Sequence, residues 1–297
     1  MLPFQDITLE TEKELRNCFR YQSARTCDYT VGTSYQWREI YQSQTAVIGK
    51  LVFSRAVFMD EGLCYIMPIG EGNMMEALSL IEQDARERGC ELKFCIFSQN
   101  DLSDLKEYFG ERVETVEAKR DWFDYLYDIT QLQTFSGKKM HGQKNHWNRF
   151  KKEHPEYRYE RITMDNLEEA EGFLQKYGKT AELNGDIEVR ELMSAQDLLK
   201  HIFDLDLKGG IIWTEKGIVA LSIGEVQGDT LYIHVEKAFA NITGAFQTIV
   251  AEFAKDAAEE STLYCNREDD AGDMGLRKSK TDYHPIGFVE KYCVHVR

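Results

Sequence analysis

The residues with the clearest chemical potential form a basic segment, residues 138–152. This segment carries six lysines and arginines and two histidines, and residues 129–152 contain no aspartate or glutamate. The chain as a whole has a formal net charge of −15. Clustered cations repel one another unless an anion binds between them or acidic side chains pack against them. The basic segment therefore predicts either a site for phosphate or carboxylate groups or a solvated helix face paired with acidic residues.

The candidate phosphate ligands are four cations of this segment: Lys138, Lys139, Lys144 and Arg149. In the functional interpretation they contact the phosphates of a nucleotide or of a tRNA acceptor end, because lysine and arginine supply such contacts. The ring side chains of His141, His146 and Trp147 could stack on a base or pack beneath the helix. For Trp147 we predict packing, because large aromatic side chains contribute strongly to protein cores.

A second charged group lies towards the C-terminus, after an apolar stretch. Arg267 could bind a carboxylate or phosphate through two parallel hydrogen bonds, which its planar guanidinium favours. If Arg267 only binds a substrate, its replacement by alanine should abolish activity and leave the melting temperature nearly unchanged. Three further cations lie close by in sequence: Arg277, Lys278 and Lys280. The acidic residues 268–270 could bind a metal ion, but a solvated loop is the prediction, and no metal site is assigned.

Composition and length limit the possible classes of protein. A chain of 297 residues with 42% hydrophobic residues can form one large domain or two of ordinary size. The acidic surplus argues against binding to duplex DNA, which needs a broadly basic face. Seven cysteines without a CxxC pair predict reduced, buried thiols and a cytoplasmic location. We see no signal peptide and no apolar run of ~18 residues, which predicts a soluble protein without integral membrane association.

Two regions of the chain have the same order of elements. Each has a strand, a loop, an amphipathic helix and a second strand: residues 63–67, 74–85 and 92–97 in the first region, and residues 230–235, 245–257 and 262–265 in the second. Each region then ends in alternating strands, at residues 122–127 and 288–296. We interpret them as two copies of one module, spanning residues 1–136 and 137–297. The predicted fold class is α/β of the α+β type, with a mixed, mostly antiparallel sheet flanked by helices in each module.

The element order of the second module resembles the GNAT acyltransferase fold. The order is a strand, two helices, three antiparallel strands, a helix, a strand and a final pair. The resemblance implies that the pyrophosphate of an acyl donor lies at the N-terminus of the helix after the third hairpin strand, where free N–H groups attract anions. The implied donor-binding residues are Asn241, Gly244 and Ala245. Only Gly244 matches the Gln/Arg-x-x-Gly-x-Gly/Ala fingerprint of that fold.

The GNAT resemblance also implies two catalytic residues. Glu236 ends a hairpin strand, where GNAT enzymes often place a general base that takes a proton from the attacking amine or hydroxyl. Tyr283 lies where many of them carry a tyrosine that protonates the leaving group. The structural alternatives are that Glu236 pairs with Lys237 or Arg267 and that Tyr283 is a core aromatic. His234 is expected to face the interior of the sheet.

A closer resemblance rests on several sequence strings in a fixed order: Gly137-Lys138-Lys139-Met140-His141, His234-Val235-Glu236-Lys237-Ala238, Asn266-Arg267-Glu268-Asp269, Gly275-Leu276-Arg277-Lys278-Ser279-Lys280 and Tyr283-His284-Pro285. They resemble the catalytic domain of phosphatidylglycerol lysyltransferases and of their free-standing relatives of the DUF2156 type. This resemblance implies a tandem GNAT transferase whose first module supports the second. The membrane-bound relatives move an aminoacyl group from a charged tRNA to a lipid hydroxyl.

The predicted function is transfer of an acyl or aminoacyl group to an amine or hydroxyl of a small-molecule or aminoacyl acceptor. The possible donors are acyl-CoA and an aminoacyl-tRNA, whose acceptor end would contact the protein, and no other cofactor is assigned. Two alternatives from other classes stay open. One is a non-catalytic anion- or RNA-binding module that has kept the fold. The other is a scaffold whose basic segment docks an acidic partner.

Overall fold

A computed structural model describes residues 1–180 and 186–297 of the chain. Its two compact units are Met1–Asp124 with Asp269–Gly272 and Phe288–Arg297, and Tyr125–Glu268 with Asp273–Gly287. Among the described residues, none of the helices is long and apolar enough to cross a membrane.

The elements of the first half of the chain are the strands β1 (Gln5–Asp6), β2 (Gln44–Ile48), β3 (Lys50–Phe58), β4 (Gly62–Glu71), β5 (Leu92–Ile96) and β6 (Val113–Ala118), and the helices α1 (Glu12–Phe19), α2 (Val31–Trp37), α3 (Met74–Arg88) and α4 (Gln99–Phe109). Those of the second half are the strands β7 (Asp124–Asp128), β8 (Arg158–Arg161), β9 (Lys208–Thr214), β10 (Gly217–Gln227), β11 (Thr230–Ala238), β12 (Tyr264–Asn266), β13 (Gly287–Val289) and β14 (Tyr292–Val296), and the helices α5 (Ile129–Thr134), α6 (His141–Glu153), α7 (Leu167–Thr180), α8 (Asp186–Lys200), α9 (Ala245–Ala257) and α10 (Met274–Thr281).

The strands form two seven-stranded sheets. The first has the order β1-β2-β3-β4-β5-β14-β6, and the second has the order β13-β7-β12-β11-β10-β9-β8. Strands β4 and β5 are parallel in the first sheet, as are β11 and β12 in the second, whereas β9, β10 and β11 pair antiparallel. Two mixed, mostly antiparallel sheets flanked by helices confirm the predicted tandem GNAT-like fold.

The two strands that were expected to close the modules are exchanged between the sheets. Strand β14 lies between β5 and β6, with Cys293 opposite Cys95, and β7 lies beside β12, with Tyr127 opposite Cys265. The units therefore differ from the expected modules 1–136 and 137–297. An alternating pattern of apolar and polar residues defines an amphipathic strand, but it does not specify which strand becomes its neighbour.

Helix α9 covers the second sheet because its apolar residues recur at helical spacing. Ile249, Val250 and Phe253 are buried in the core of the second unit, as expected for the inner face of an amphipathic helix. Phe150 of α6 and Tyr127 of β7 belong to the same core. This shared core fixes α6, which carries most of the basic segment, beside α9.

The first unit contains a buried charge cluster around Lys291. The Lys291 ammonium lies 2.5 Å from Asp28 Oδ2 and 2.7 Å from Asp124 Oδ1. It also donates a hydrogen bond to Cys27 Sγ at 3.5 Å. Burial alone lowers the pKa of Lys291, but the charges of Asp124 and Asp28 outweigh this effect and hold the pKa well above the ordinary lysine value. The cluster thus retains a full ammonium charge, which lies between the carboxylates of Asp28 and Asp124.

Replacing Lys291 by alanine is expected to lower the free energy of unfolding by about 3–5 kcal/mol, because it leaves the fully buried Asp124 without its cation. Urea unfolding followed by circular dichroism measures the change. The matched control is Arg297→Ala, since Arg297 pairs with Glu114 on the surface and its side chain is 71% exposed. That control should change stability by less than about 0.5 kcal/mol. Equal effects of the two variants would contradict a stabilising role of the buried cluster.

Candidate active site in the second unit

A cavity of about 820 Å³ lies in the second unit. Its walls come from α6, from the loop after β11, from the first turn of α9 and from α10. The lining includes Gln143 of α6 and Phe239 of the loop, with the charged side chains Lys139, Lys278 and Asp282. Lys278 pairs with Asp282 at 2.6 Å, so Lys139 leaves one positive charge in excess, and the local charge favours an anionic ligand.

The N-terminus of α9 opens into this cavity. Gly244 is the N-cap residue, lines the cavity and offers no side chain to the first N–H groups of the helix. Unpaired N–H groups at the start of a helix, together with the helix dipole, attract anions. In the first unit the equivalent helix α3 begins differently, since Asn73 Oδ1 accepts hydrogen bonds from the N–H groups of Met75 and Glu76 at 3.0 and 3.3 Å. Of these two helix N-termini, that of α9 is the one left uncapped.

Gly244 also determines how closely α6 approaches α9. Its φ of +81° lies in the left-handed region, which favours glycine. A Cβ atom at this position would lie 2.2 Å from the carbonyl oxygen of His146 and 2.8 Å from Phe150 Cβ. Only glycine therefore allows the backbone of α6 to lie against the start of α9, where His146 reaches the cavity.

Strands β11 and β12 diverge in this unit. Their parallel pairing begins at Thr230 and Tyr264 and ends at Tyr232 and Asn266, whereas β11 continues as far as Ala238. Beyond Tyr232, β11 has no ladder partner in β12. We call this opening the strand gap, and side chains from both of its edges fill it.

The equivalent opening in the first unit is filled by an aromatic side chain. Pairing of β4 with β5 ends at Ile66 and Cys95, and β4 continues beyond it. The Tyr29 hydroxyl donates a hydrogen bond to the Met67 carbonyl at 2.8 Å, and its ring packs edge-on against Phe97 at 5.0 Å. The first unit thus fills this space with an aromatic side chain, whereas the second unit fills it with charged side chains.

Across the strand gap, Arg267 pairs with Glu236 of β11. Arg267 Nη2 donates to Glu236 Oε2, and the arginine side chain is only 5% exposed. Its buried Nε and Nη1 have no hydrogen-bond partner among the described residues. Its Cζ lies 4.5 Å from the ring centroid of Tyr283 and 5.8 Å from that of Phe246, and both rings line the cavity. A buried cation with unused donors therefore lies directly behind the cavity lining.

This burial changes the expected role of Arg267 in stability. Burial works against its charge, but Glu236 and the neighbouring tyrosines outweigh this effect and keep the pKa above the ordinary arginine value. Removing the guanidinium would leave Glu236 as a largely buried, unpaired carboxylate, which costs several kcal/mol, on the order of 3–5. The expectation that Arg267→Ala leaves the melting temperature unchanged therefore does not fit the structure.

Tyr283 combines a place in the cavity lining with an unused hydroxyl group. The residue is 2% exposed. The Gln247 side chain lies near enough to its buried hydroxyl to lower the pKa, but the two groups form no well-aligned hydrogen bond. Burial raises the pKa of this hydroxyl, and the charge of Arg267 offsets the effect only in part. The Tyr283 hydroxyl is therefore protonated at neutral pH and can act as a hydrogen-bond or proton donor.

His234 faces the interior of the sheet, as expected, and lies between two glutamates. Its Nδ1 is 3.0 Å from Glu268 Oε1, and its Nε2 is 3.2 Å from Glu225 Oε1. Burial alone lowers the pKa of His234, but the hydrogen bonds and charges of Glu225 and Glu268 outweigh it and raise the pKa to about 9. His234 is therefore an imidazolium at neutral pH.

The structure brings together part of the predicted site. Four of its residues line the cavity: Lys139, Gly244, Lys278 and Tyr283. Glu236 and Arg267 form the ion pair behind the lining, which confirms the pairing offered as the alternative for Glu236. Seven further predicted residues do not belong to the cavity lining: Lys138, Lys144, Arg149, Asn241, Ala245, Arg277 and Lys280.

Several of the residues outside the lining have other contacts. Arg149 forms an ion pair with Glu153 one turn later on α6, at 2.7 Å. Lys280 is buried, and its amine donates to the Arg267 carbonyl at 2.5 Å, so it supports the backbone of the site. Trp147 is buried in the core, as predicted, with the Lys151 ammonium 3.6 Å from its ring centroid.

Sequence analysis did not identify the neutral side chains of the cavity. Gln247 of α9 donates a hydrogen bond to Gln143 of α6 at 2.9 Å, which links two of the walls. His284 Nε2 lies 2.9 Å from the carbonyl oxygen of Lys139. Isolated glutamines carry no charge pattern or spacing that would distinguish them. His284 was recognised only as part of a string of family residues.

The chain has two tandem units, each with a mixed sheet. In the second unit the sheet diverges beside an uncapped helix N-terminus. This architecture is the GNAT acyltransferase fold. The sequence profile described as phosphatidylglycerol lysyltransferase, C-terminal, matches residues 19–295. The chain therefore belongs to this family, and the predicted resemblance is confirmed. A search of curated protein sequences gave no match.

Solved structures agree with this assignment. A conserved protein of unknown function from Bacteroides thetaiotaomicron is 32% identical over 100% of both chains, with a TM-score of 0.88. L-PGS from Bacillus licheniformis is 15% identical over 97% of this chain and 90% of its own, with a TM-score of 0.62. The C-terminal domain of a putative lysylphosphatidylglycerol synthetase from Agrobacterium fabrum is 13% identical with the same coverage and a TM-score of 0.65. The last two share the fold with this chain.

Replacing Gly244 by alanine is expected to destabilise the protein by about 1–3 kcal/mol, because alanine is strained at this φ and its Cβ would collide with α6. Denaturant unfolding measures the change. The control is Gly172→Ala in the exposed interior of α7, where a Cβ meets no atom within 4 Å. That variant should gain roughly 0.5–1 kcal/mol. A Gly244→Ala protein as stable as the wild type would show that α6 can move away from α9 without cost.

The stability of the protein is expected to fall between about pH 6.5 and pH 9 through His234. Its pKa is raised from 6.5 to about 9 on folding, so its contribution is complete below pH 6.5 and is lost as the pH rises through the folded-state value. At about 1.4 kcal/mol per pKa unit, the contribution is on the order of 3 kcal/mol. Urea unfolding over this pH range should show this decline in the wild type and a flatter curve in His234→Gln. If the stability of the wild type and of His234→Gln changed in parallel over this pH range, the raised pKa of His234 in the folded protein would be contradicted.

Proposed function

We propose that the chain is an acyl- or aminoacyltransferase whose reaction centre lies in the second unit. The observation that carries the proposal is a set of buried donors without a well-formed hydrogen bond, namely Arg267 Nε and Nη1 and the Tyr283 hydroxyl, beside an uncapped helix N-terminus in a cavity. Buried polar groups in proteins are nearly always hydrogen-bonded. Donors left unused at a cavity are therefore suited to an oxygen atom that a ligand supplies.

The proposed donor binds through its phosphate groups at the start of α9. The N-terminal N–H groups of α9 provide hydrogen bonds, and Lys139, just before α6, and Lys278 of α10 provide positive charge. The remaining cations of the basic segment lie outside the lining, on exposed positions such as Lys138 and Lys144. A donor that extends beyond the cavity would use them. This arrangement favours the acceptor end of an aminoacyl-tRNA over acyl-CoA, which has fewer phosphates.

The proposed chemistry is attack of an amine or hydroxyl on the carbonyl carbon of the donor. Arg267 stabilises the negative charge that develops on the carbonyl oxygen, since preorganised donors in a dry site act most strongly on such charge. The carboxylate of Glu236 takes the proton of the attacking group, and Tyr283 gives a proton to the leaving atom, which is oxygen for an aminoacyl-tRNA and sulfur for an acyl-CoA. The new acyl bond forms as the bond to the donor breaks. Glu236 then releases its proton to solvent, and solvent returns a proton to Tyr283.

The second candidate function is binding of an anion without catalysis. It is favoured by the ion pair between Glu236 and Arg267, because the guanidinium already occupies one oxygen of the carboxylate that would take the proton. For either function we propose a cytoplasmic location, where charged tRNA and coenzyme A occur and where the seven free cysteines would stay reduced.

Replacing Tyr283 by phenylalanine is expected to lower the transfer rate by about 10²–10⁴-fold, which is the usual contribution of a positioned acid. The melting temperature should change little, because the buried hydroxyl has no well-aligned hydrogen bond to lose. The assay offers labelled lysyl-tRNA or acetyl-CoA as donor with lipid, amine and peptide acceptors. The matched control is Tyr157→Phe, since the Tyr157 hydroxyl bonds Glu252 at 3.3 Å outside the cavity lining.

Each outcome of this assay separates the candidates. Full activity of Tyr283→Phe would show that Tyr283 acts only as a core aromatic residue. Absence of transfer by the wild type, combined with a saturable rise in melting temperature on titration with tRNA or coenzyme A, would favour the binding module. Absence of both transfer and binding would overturn the proposed function.

A further inference from the structure

Two ion pairs cross the strand gap side by side. Glu236 of β11 meets Arg267, and His234, two residues earlier on β11, meets Glu268 at 3.0 Å. The pairing of β10 with β11 shifts register between Ile233 and Val235, so His234 lies at a β-bulge, and its side chain reaches across the gap from there. A negative and a positive side chain of β11 thus lie opposite a positive and a negative side chain of the segment after β12. Each charge has an opposite charge across the gap and another beside it.

His234 is also fixed from its other side. Its Nε2 lies 3.2 Å from Glu225 Oε1 of β10, and both side chains are buried, with Glu225 at 2% exposure. Only a ring with both nitrogens protonated can donate to both glutamates. The charged groups around the ring are Glu225 from β10, Glu268 after β12, and the adjacent pair of Glu236 and Arg267. The raised pKa of His234 agrees with this geometry.

The backbone at Glu268 explains why this contact affects Arg267. Glu268 has a φ of +56°, a left-handed conformation that is uncommon for residues other than glycine. Its N–H donates to Asn266 Oδ1 at 2.7 Å, and its carbonyl accepts from Tyr125 N–H at 3.1 Å. This tight turn allows the consecutive residues Arg267 and Glu268 both to reach β11. The orientation of the arginine therefore depends on the turn.

We propose that His234 is a positioning residue, which holds Glu268 and thereby fixes the turn that places the guanidinium of Arg267 between Glu236 and Tyr283. Its effect on rate rests on the proposed function, whereas its effect on Arg267 does not. Without the imidazolium, two carboxylates face each other in the interior. Glu268 has the more exposed side chain, at 14% against 2% for Glu225, so Glu268 moves towards solvent. The turn then relaxes and Arg267 leaves its position.

The first test follows the Arg267 Nε–H group by NMR in protein with isotopically labelled arginine and histidine, and Arg267→Lys identifies the signal. This group is buried and has no hydrogen-bond partner among the described residues, so its N–H exchange with water reports on the local structure. We expect its exchange to accelerate and its signal to broaden with the same midpoint, about pH 9, as the titration of His234. In His234→Gln the signal should be broadened at every pH.

Two further variants complete this test. His201→Gln removes a histidine that binds Asp204 at 2.9 Å, outside the strand gap, and should leave the Arg267 signal unchanged. If His234→Gln is poorly folded, His234→Gln/Glu225→Gln removes one of the facing carboxylates and restores the fold. Its Arg267 signal should remain broadened, because glutamine cannot hold Glu268 as an ion pair. A sharp Arg267 signal in a folded variant, or one that is constant through the His234 titration, would overturn the proposal.

The second test measures kinetics with lysyl-tRNA or acetyl-CoA as donor. For the folded variant without His234 we expect kcat to fall by about 100-fold, as misplacement of a catalytic group by about 1 Å does. KM for the donor should not change, because α9, Lys139 and Lys278 are untouched. A raised KM with an unchanged kcat would contradict a positioning role. If the wild type transfers nothing from either donor, the proposed function fails, and the NMR result alone decides whether His234 positions Arg267.

Discussion

The divergence of β11 and β12 is the constraint on which the site depends. A sheet normally satisfies the polar groups of neighbouring strands by backbone pairing, and here that pairing stops at Tyr232 and Asn266. Side chains must bridge the opening instead, and in a buried gap they must do so with matched charges. The two ion pairs of Glu236 with Arg267 and of His234 with Glu268 meet this requirement. These ion pairs also leave donor groups unused. The side chains that stabilise the gap therefore also provide groups that can bind a ligand.

The two units share one order of elements but differ at this opening. In the first unit, Tyr29 fills the space beside β4, and Asn73 caps the helix that follows. Its buried Lys291 lies between Asp28 and Asp124. In the second unit, Gly244 replaces the cap, and charged side chains meet across the gap instead of an aromatic ring. The first unit thus has features that stabilise the fold at this position, and the second unit has features that can bind a ligand.

Local patterns in the sequence predicted most elements but not all of their neighbours. Helical spacing identified α9 with the bounds Ala245–Ala257 that the structure shows, because burial of one helix face depends on residues close in sequence. The exchange of β7 and β14 could not be predicted, since strand pairing depends on residues far apart in the chain. In the site, Arg267 and Lys280 were predicted as functional residues because they are charged, but their burial was not predicted. Only the fold shows that one has unused donors and that the other holds a carbonyl oxygen.

The net charge of the whole chain determines how an anion can interact with the basic segment. A net charge of −15 repels polyanions over long distances, so an extended nucleic acid gains little from general attraction to this surface. Salt at physiological concentration screens that repulsion beyond about 8 Å, whereas contacts inside the cavity are screened less. Under the proposed function, an anionic donor binds where Lys139, Lys278 and the start of α9 converge, and binds weakly elsewhere. An acidic chain with lysines at the cavity would then favour recognition of one end of a polyanion rather than its length, which suits a transferase that must release the rest of the donor after each reaction.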